Sequence, residues 1–252
     1  MQTLEKVTFI SNWIKDYVNK MPTKARSLVI GISGGIDSSV SSTLSAMTGL
    51  KTIVLSMPIK QKSQQHDLSL KHQEWLVGKF KNVVSHTINL DELFSAFSSS
   101  LSKFDNEHGM ANSRARLRMT TLYQVAAANK GIVVGTGNKV EDFGVGFYTK
   151  YGDGGVDISP IADCNKSEVW ELGKHLGINK KIIEAEPTDG LWNDGRKDVD
   201  QLGMSYSEIE YLMNNPTEPD YEKYLKIRKK NLHKMKSIPI CKFNGKTNLA
   251  ND

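Results

Sequence analysis

Short, continuous apolar runs alternate along this chain with longer stretches in which apolar positions recur every three or four residues. Leu4, Val7, Ile10, Ile14 and Tyr17 fall at helical spacing and predict an N-terminal helix over 1–21. Ser27 to Ile32 and Thr52 to Met57 are runs that read as buried strands, and Val83 to Ile88 and Ile132 to Thr136 read as a third and a fourth strand. Between them, 36–47, 63–80, 91–104 and 112–129 carry helical periodicity. Strands separated by helices predict an α/β fold with a doubly wound, mostly parallel sheet flanked by helices.

The pattern changes after the fourth run. Six glycines within 137–157 predict a functional loop rather than a helix. Asp157 to Pro160 reads as a short final strand, and Asn165-Lys166-Ser167-Glu168 as a capping-box start for another helix. The turn at 187–190 breaks the helical region, Ser205-Tyr206-Ser207-Glu208 opens a further helix, and a polar linker at 214–219 leads to a basic terminal one.

Composition narrows the picture. A length of 252 residues suits one catalytic domain, with the helix at 1–21 and a basic helical segment at 218–238 as extensions and no glutaminase domain. The net charge of +5 collects at 223–236, which fits an anionic small substrate, and no nucleic-acid partner is expected. Cys164 and Cys241 belong to no C-x-x-C pair, which points away from disulfides and zinc and toward a reducing cytoplasm. No apolar run approaches the roughly 20 residues that span a bilayer, so no membrane partner is expected.

The chemistry concentrates where the first strand ends. Gly31-Ile32 leads into Ser33-Gly34-Gly35-Ile36-Asp37-Ser38-Ser39. The glycines let backbone N–H groups turn toward an anion, the serines add hydroxyl donors, and the following helix aims its positive end at the same point. A carboxylate beside phosphates is tolerated when a divalent cation lies between, so Asp37 implies a nucleotide bound with Mg²⁺. No Gly-Lys-Ser/Thr follows, so the loop is not a Walker A motif.

This loop resembles the SGGxDS pyrophosphate loop of the N-type ATP pyrophosphatases, which cleave ATP between the α- and β-phosphates. Taken with Tyr148-Thr149-Lys150-Tyr151-Gly152-Asp153-Gly154-Gly155-Val156-Asp157, and with further ordered matches from about 26 to 236, the chain resembles ammonia-dependent NAD synthetase. The resemblance implies an adenine nucleotide alpha-hydrolase-like fold. It implies adenylation of the nicotinate carboxylate of deamido-NAD by ATP, then attack by ammonia to give NAD, AMP and pyrophosphate. Residues 31–39 would cradle ATP together with Thr136, Lys166 and Thr188, and Asp37 and Glu141 would share Mg²⁺. Arg116, Lys150 and Asp157 would contact deamido-NAD, with His233 and Lys234 closing over it and Asp153 handling ammonia. A homodimer is implied as well.

The chain departs from the pattern of many short bacterial relatives at Gly135-Thr136-Gly137-Asn138, where they have Gly-Thr-Asp, and an extra residue follows Glu141. A separate glutaminase subunit stays open as the ammonia source. The alternatives are another ATP pyrophosphatase, GMP synthetase-like or tRNA-modifying, and a non-catalytic nucleotide- or RNA-binding protein.

Overall fold

The computed structural model describes residues 1–60, 63–188, 190–192, 196–241 and 243; Asp189 of the expected turn lies outside them. Four strands, β1 (Ser27–Gly31), β2 (Thr52–Ser56), β3 (Val83–Thr87) and β4 (Gly131–Val133), form a parallel sheet in the order β3-β2-β1-β4. Val29 sits opposite Ile53 on one side and Val133 on the other. All the crossovers between these parallel neighbours contain helices, as the alternation in the sequence predicts.

Residue parity separates the two faces of the sheet. Leu28, Ile30, Val54 and Ile132 point into one core with α1 (Thr3–Lys20), α2 (Ile36–Met47), α3 (Ser63–Lys79) and α6 (Lys166–Leu176). Val29, Ile53, Leu55 and Val133 point into the other, covered by α4 (Asp91–Ser100) and α5 (Glu107–Ala128). The sheet is therefore doubly wound, and its central strands are covered on both faces.

Several elements differ from the expectation. Val7, Ile10 and Ile14 of α1 are buried, but Leu4 and Tyr17 are exposed, because the buried stripe continues through Val18 instead. The fifth helix begins at Glu107, capped by the Asn106 side chain on Gly109 N–H, five residues ahead of the expected start. The final strand shrinks to one parallel bridge between Val134 and Ile158, since Pro160 has no N–H to extend the ladder.

The largest difference is in the glycine-rich region. Lys139–Val145 is a π-helical segment, where a loop is expected. Such segments accommodate an extra residue within a helical turn, and here it packs into a third core of its own. Beyond the short α7 (Lys180–Ile183), Val140 and Val145 meet α8 (Asp198–Leu202), α9 (Tyr206–Asn214) and α10 (Tyr221–Met235) through Leu202, Tyr206, Ile209 and Tyr224. This cluster sets the position of Glu141 relative to the carboxyl ends of the strands.

Candidate active site

The Ser33–Ser39 loop is held by its own hydroxyls. Ser33 Oγ accepts from Gly35 N–H at 3.1 Å and lies 3.1 Å from Ser38 Oγ, while Ser38 and Ser39 hydroxyls both donate to Gly35 C=O. Gly34 has φ +90°, which a side chain would strain, and Gly35 precedes the first turn of α2 in extended conformation. The loop is thus built ahead of any ligand, with the N-terminal end of a twelve-residue helix behind it.

Asp37, in the first turn of α2, meets two residues distant in sequence. Lys166 Nζ lies 2.6 Å from Asp37 Oδ2 and 2.9 Å from Glu141 Oε1. The Lys166 side chain is only 3% exposed. Burial by itself would lower its pKa, but the facing Asp37 and Glu141 carboxylates outweigh that and hold it above the ordinary value. The resemblance groups these three residues around ATP and its cation, and the fold brings them into direct contact.

Around this triad lie residues to which the sequence assigned no role. Asn138 is fully buried; its Nδ2 donates to Asp37 Oδ1 at 2.9 Å, and its Oδ1 accepts from the N–H groups of Val140 and Glu141. It thereby caps the π-helical segment and orients Asp37 at once. The Asn-x-x-Glu spacing was the only local signal for it. The Tyr206 hydroxyl lies 2.6 Å from Glu141 Oε1 and 2.8 Å from Asp198 Oδ2. Burial and these two carboxylates keep the phenol protonated far above its ordinary range.

A second group forms where α10 crosses the glycine-rich segment. Arg116 donates to Lys150 C=O, Lys150 Nζ donates to His233 C=O at 3.3 Å, and Lys234 Nζ donates to Tyr148 C=O at 2.7 Å. Arg116, Lys150, His233 and Lys234, all expected at deamido-NAD, are therefore neighbours. Burial lowers the Lys234 pKa, against the pull of Asp153. A cavity of about 140 Å³ is lined by Gly137, Asp142, Tyr148, Asp153 and Met235 among others. Burial, reinforced by Glu141, Asp153 and Asp37, pushes the Asp142 carboxyl up to about 8. Asp153 as a residue is exposed, yet its carboxylate folds inward to accept from Thr149 N–H, and desolvation raises it to about 6.

Two further expected site residues make hydrogen bonds within the protein. Asp157 accepts from Tyr123 O–H and from Val133 N–H, tying α5 to β4. The Thr188 hydroxyl donates to Arg196 C=O and accepts from Gly190 N–H, so it closes its own loop and makes no hydrogen bond to residues 33–39. Thr136 is half-buried just past the carboxyl end of β4, where ligands bind in open parallel sheets.

A doubly wound parallel sheet with a pre-shaped anion loop and a Lys-bridged carboxylate pair at its strand ends defines an enzyme of the adenine nucleotide alpha-hydrolase-like class. The family model of NAD synthase matches residues 6–249, and the chain belongs to that family. It is 35% identical over 242 residues to the NH₃-dependent NAD⁺ synthetase of Carboxydothermus hydrogenoformans, covering 93% of this chain and 96% of that one. Among solved structures it is similar to the NMN synthetase of Francisella tularensis, at TM-score 0.88 and 34% identity over 96% of this chain and 100% of that one. It is also similar to the NH₃-dependent NAD synthetase of Campylobacter jejuni, at TM-score 0.75 and 26% identity with the same coverage.

Proposed function

We propose that this protein amidates deamido-NAD with ammonia at the expense of ATP, releasing NAD, AMP and pyrophosphate through an adenylated nicotinate. The observation that carries this reading is the Lys166 ammonium lodged between Asp37 and Glu141 at the mouth of the anion loop. Adenylation and loss of pyrophosphate gather negative charge on phosphates, and fixed positive groups aimed there stabilise the transition state. The 31–39 loop and Lys166 receive the ATP phosphates, with Thr136 and Thr188 completing the nucleotide site. Arg116, Lys150, His233 and Lys234 receive the pyridine nucleotide, and Asp153 binds ammonium and assists its deprotonation.

The donor set fits Mg²⁺. Two carboxylates already converge on one cationic atom, and no group of three or more His, Cys, Asp or Glu suited to a metal exists among the described residues. Mg²⁺ favours one or two carboxylates completed by phosphate oxygens over an all-protein cage. Asp37 and Glu141 would hold it, and when bound it neutralises charge on the phosphates.

No helix among the described residues is long and apolar enough to cross a membrane, and we place the protein in the cytoplasm. Phe9, Trp13 and Tyr17 form an exposed aromatic stripe on α1, and Phe9 and Trp13 line a groove with Phe143 and Pro160. A second copy of the chain is the partner we assign to this face, giving a homodimer that sedimentation equilibrium would reveal.

One observation favours a second reading of the substrate. The higher of the two structural similarities is to an NMN synthetase, whose product is a mononucleotide amide. The same adenylation and amidation would then act on nicotinate mononucleotide. The pure protein, ATP, Mg²⁺ and ammonium, supplied in turn with each deamido nucleotide, separate the readings by the ratio of kcat/KM. One AMP and one pyrophosphate per amide formed are expected in either case. ADP with orthophosphate would overturn adenylation.

A further inference from the structure

We propose that Tyr206 is a positioning residue for Glu141, keeping that carboxylate in place when Lys166 turns from it to the nucleotide phosphates. The proposal rests on the reading of Glu141 as a cation ligand. Among the described residues, only Lys166 and Tyr206 make side-chain hydrogen bonds to the Glu141 carboxylate, and both use Oε1. Asn138 fixes the Glu141 backbone N–H but does not reach the carboxylate.

Lys166 and a divalent cation are both positive and are claimed by the same two carboxylates, so they cannot share the space between Asp37 and Glu141. Once Lys166 serves phosphate, Glu141 keeps one side-chain partner, the Tyr206 hydroxyl. That hydroxyl is itself anchored. Tyr206 is 7% exposed, its ring stands edge-on to Trp170 at 6.3 Å, and Asp198 Oδ2 lies 2.8 Å from its oxygen. The phenol has one proton to give, so Glu141 Oε1 and Asp198 Oδ2 are alternative acceptors for it, and Asp198, whose N–H donates to Pro187 C=O, holds the ring oxygen within reach of Glu141 without itself binding that carboxylate. A carboxylate held by a rigid neutral donor loses less freedom on taking a cation than one left to rotate.

Tyr206→Phe tests this, because it deletes the hydroxyl while retaining the ring against Trp170 and beneath Lys166, whose Nζ lies 4.7 Å from the ring centroid. Mn²⁺ binding is followed by electron paramagnetic resonance in the presence of a non-hydrolysable ATP analogue, so no turnover enters the readout. The matched control is Tyr224→Phe, which removes a hydroxyl bonded to Gly144 C=O on the same π-helical segment without touching Glu141. Tyr206→Phe is expected to weaken Mn²⁺ about tenfold and leave metal-free analogue binding unchanged, and Tyr224→Phe to leave both unchanged. Thermal midpoints with and without Mn²⁺ extend the comparison to a variant of lowered stability: the Mn²⁺-induced rise should shrink only in Tyr206→Phe. Mn²⁺ affinity within twofold of wild type in Tyr206→Phe, or an equal loss in Tyr224→Phe, would overturn the proposal. If the wild-type protein took up no Mn²⁺ with the analogue, the assignment of Glu141 to a cation would fall, and the proposal with it.

Discussion

The Asp142 carboxylate occupies the space beside Gly137 that any side chain at that position would need. Gly137 and Asp142 are thus one packing arrangement. Gly137→Ala must push Asp142 aside, and Asp142 adjoins Glu141. An overpacking loss of about 1–3 kcal/mol is expected. Asp142→Ala in the same chain should recover much of it, giving a favourable coupling in a thermal double-mutant cycle. Strict additivity of the two changes would show that the contact is not what constrains residue 137.

Lys166→Met leaves Asp37 and Glu141 facing each other without their buried cation. Removing one partner of a buried ion pair typically costs about 3–5 kcal/mol, and the half-open carboxylates place this site toward the lower end. Mg²⁺ should raise the thermal midpoint of Lys166→Met more than that of wild type, because no ammonium competes for the two carboxylates. Equal Mg²⁺-induced shifts would count against a shared site.

Asp37→Asn and Glu141→Gln each remove a charge at nearly constant shape. Each is expected to lower kcat by about a hundredfold or more, by analogy with loss of a preorganised charge-stabilising group, with the circular dichroism spectrum unchanged. A variant that keeps near-wild-type turnover at low Mg²⁺ is not a cation ligand.

The ammonium response should carry the signature of Asp153. Free ammonia grows with pH across the neutral range, so the rate should rise with pH. Asp153, raised to about 6, adds a second effect: below that pH it is protonated and loses its attraction for ammonium. In Asp153→Asn, KM for ammonium should rise more than KM for ATP, and the inflection near pH 6 should vanish. An unchanged ammonium profile would remove Asp153 from the reaction. Glutamine should not replace ammonium for the pure chain.

His72 provides a stability test away from the site. It is 1% exposed, its Nε2 lies 3.1 Å from Ser42 Oγ, and its ring stacks on Trp75. Burial lowers its pKa from 6.5 to about 4, so the folded protein holds it neutral while the unfolded chain takes up a proton. Its contribution is therefore fully present above pH 6.5 and is lost as pH falls toward 4, on the order of 3 kcal/mol at most. His72→Gln should flatten the thermal midpoint between pH 6.5 and 4. A profile as steep as wild type would assign the acid loss to other groups.

Much of the architecture was legible because its signals are local. A buried parallel strand is a run of adjacent apolar residues, and an anion loop is a fixed order of Gly, Ser and Asp; neither needs a distant partner to be recognised. The π-helical segment was not legible, since Gly144 and Gly146 argue against a regular helix in isolation. It is stabilised by Leu202, Ile209 and Tyr224, which lie some sixty to eighty residues further on. The α1 stripe shows the same limit on a smaller scale, because periodicity selected Tyr17 while the packing buried Val18.

By itself the sequence determined the order of strands and helices, the phosphate loop after β1 and the family that its motifs resemble. Tertiary structure alone decided which side chains meet. Lys166 reaches Asp37 across 129 positions, and Tyr206 reaches Glu141 across 65. Such pairs carry no local pattern, because their approach depends on two cores packing against each other: α2 and α6 over the sheet, and α9 over the π-helical segment. The geometry of the site is a consequence of that packing, where hydrogen-bond distances are set by buried side chains far apart in the chain.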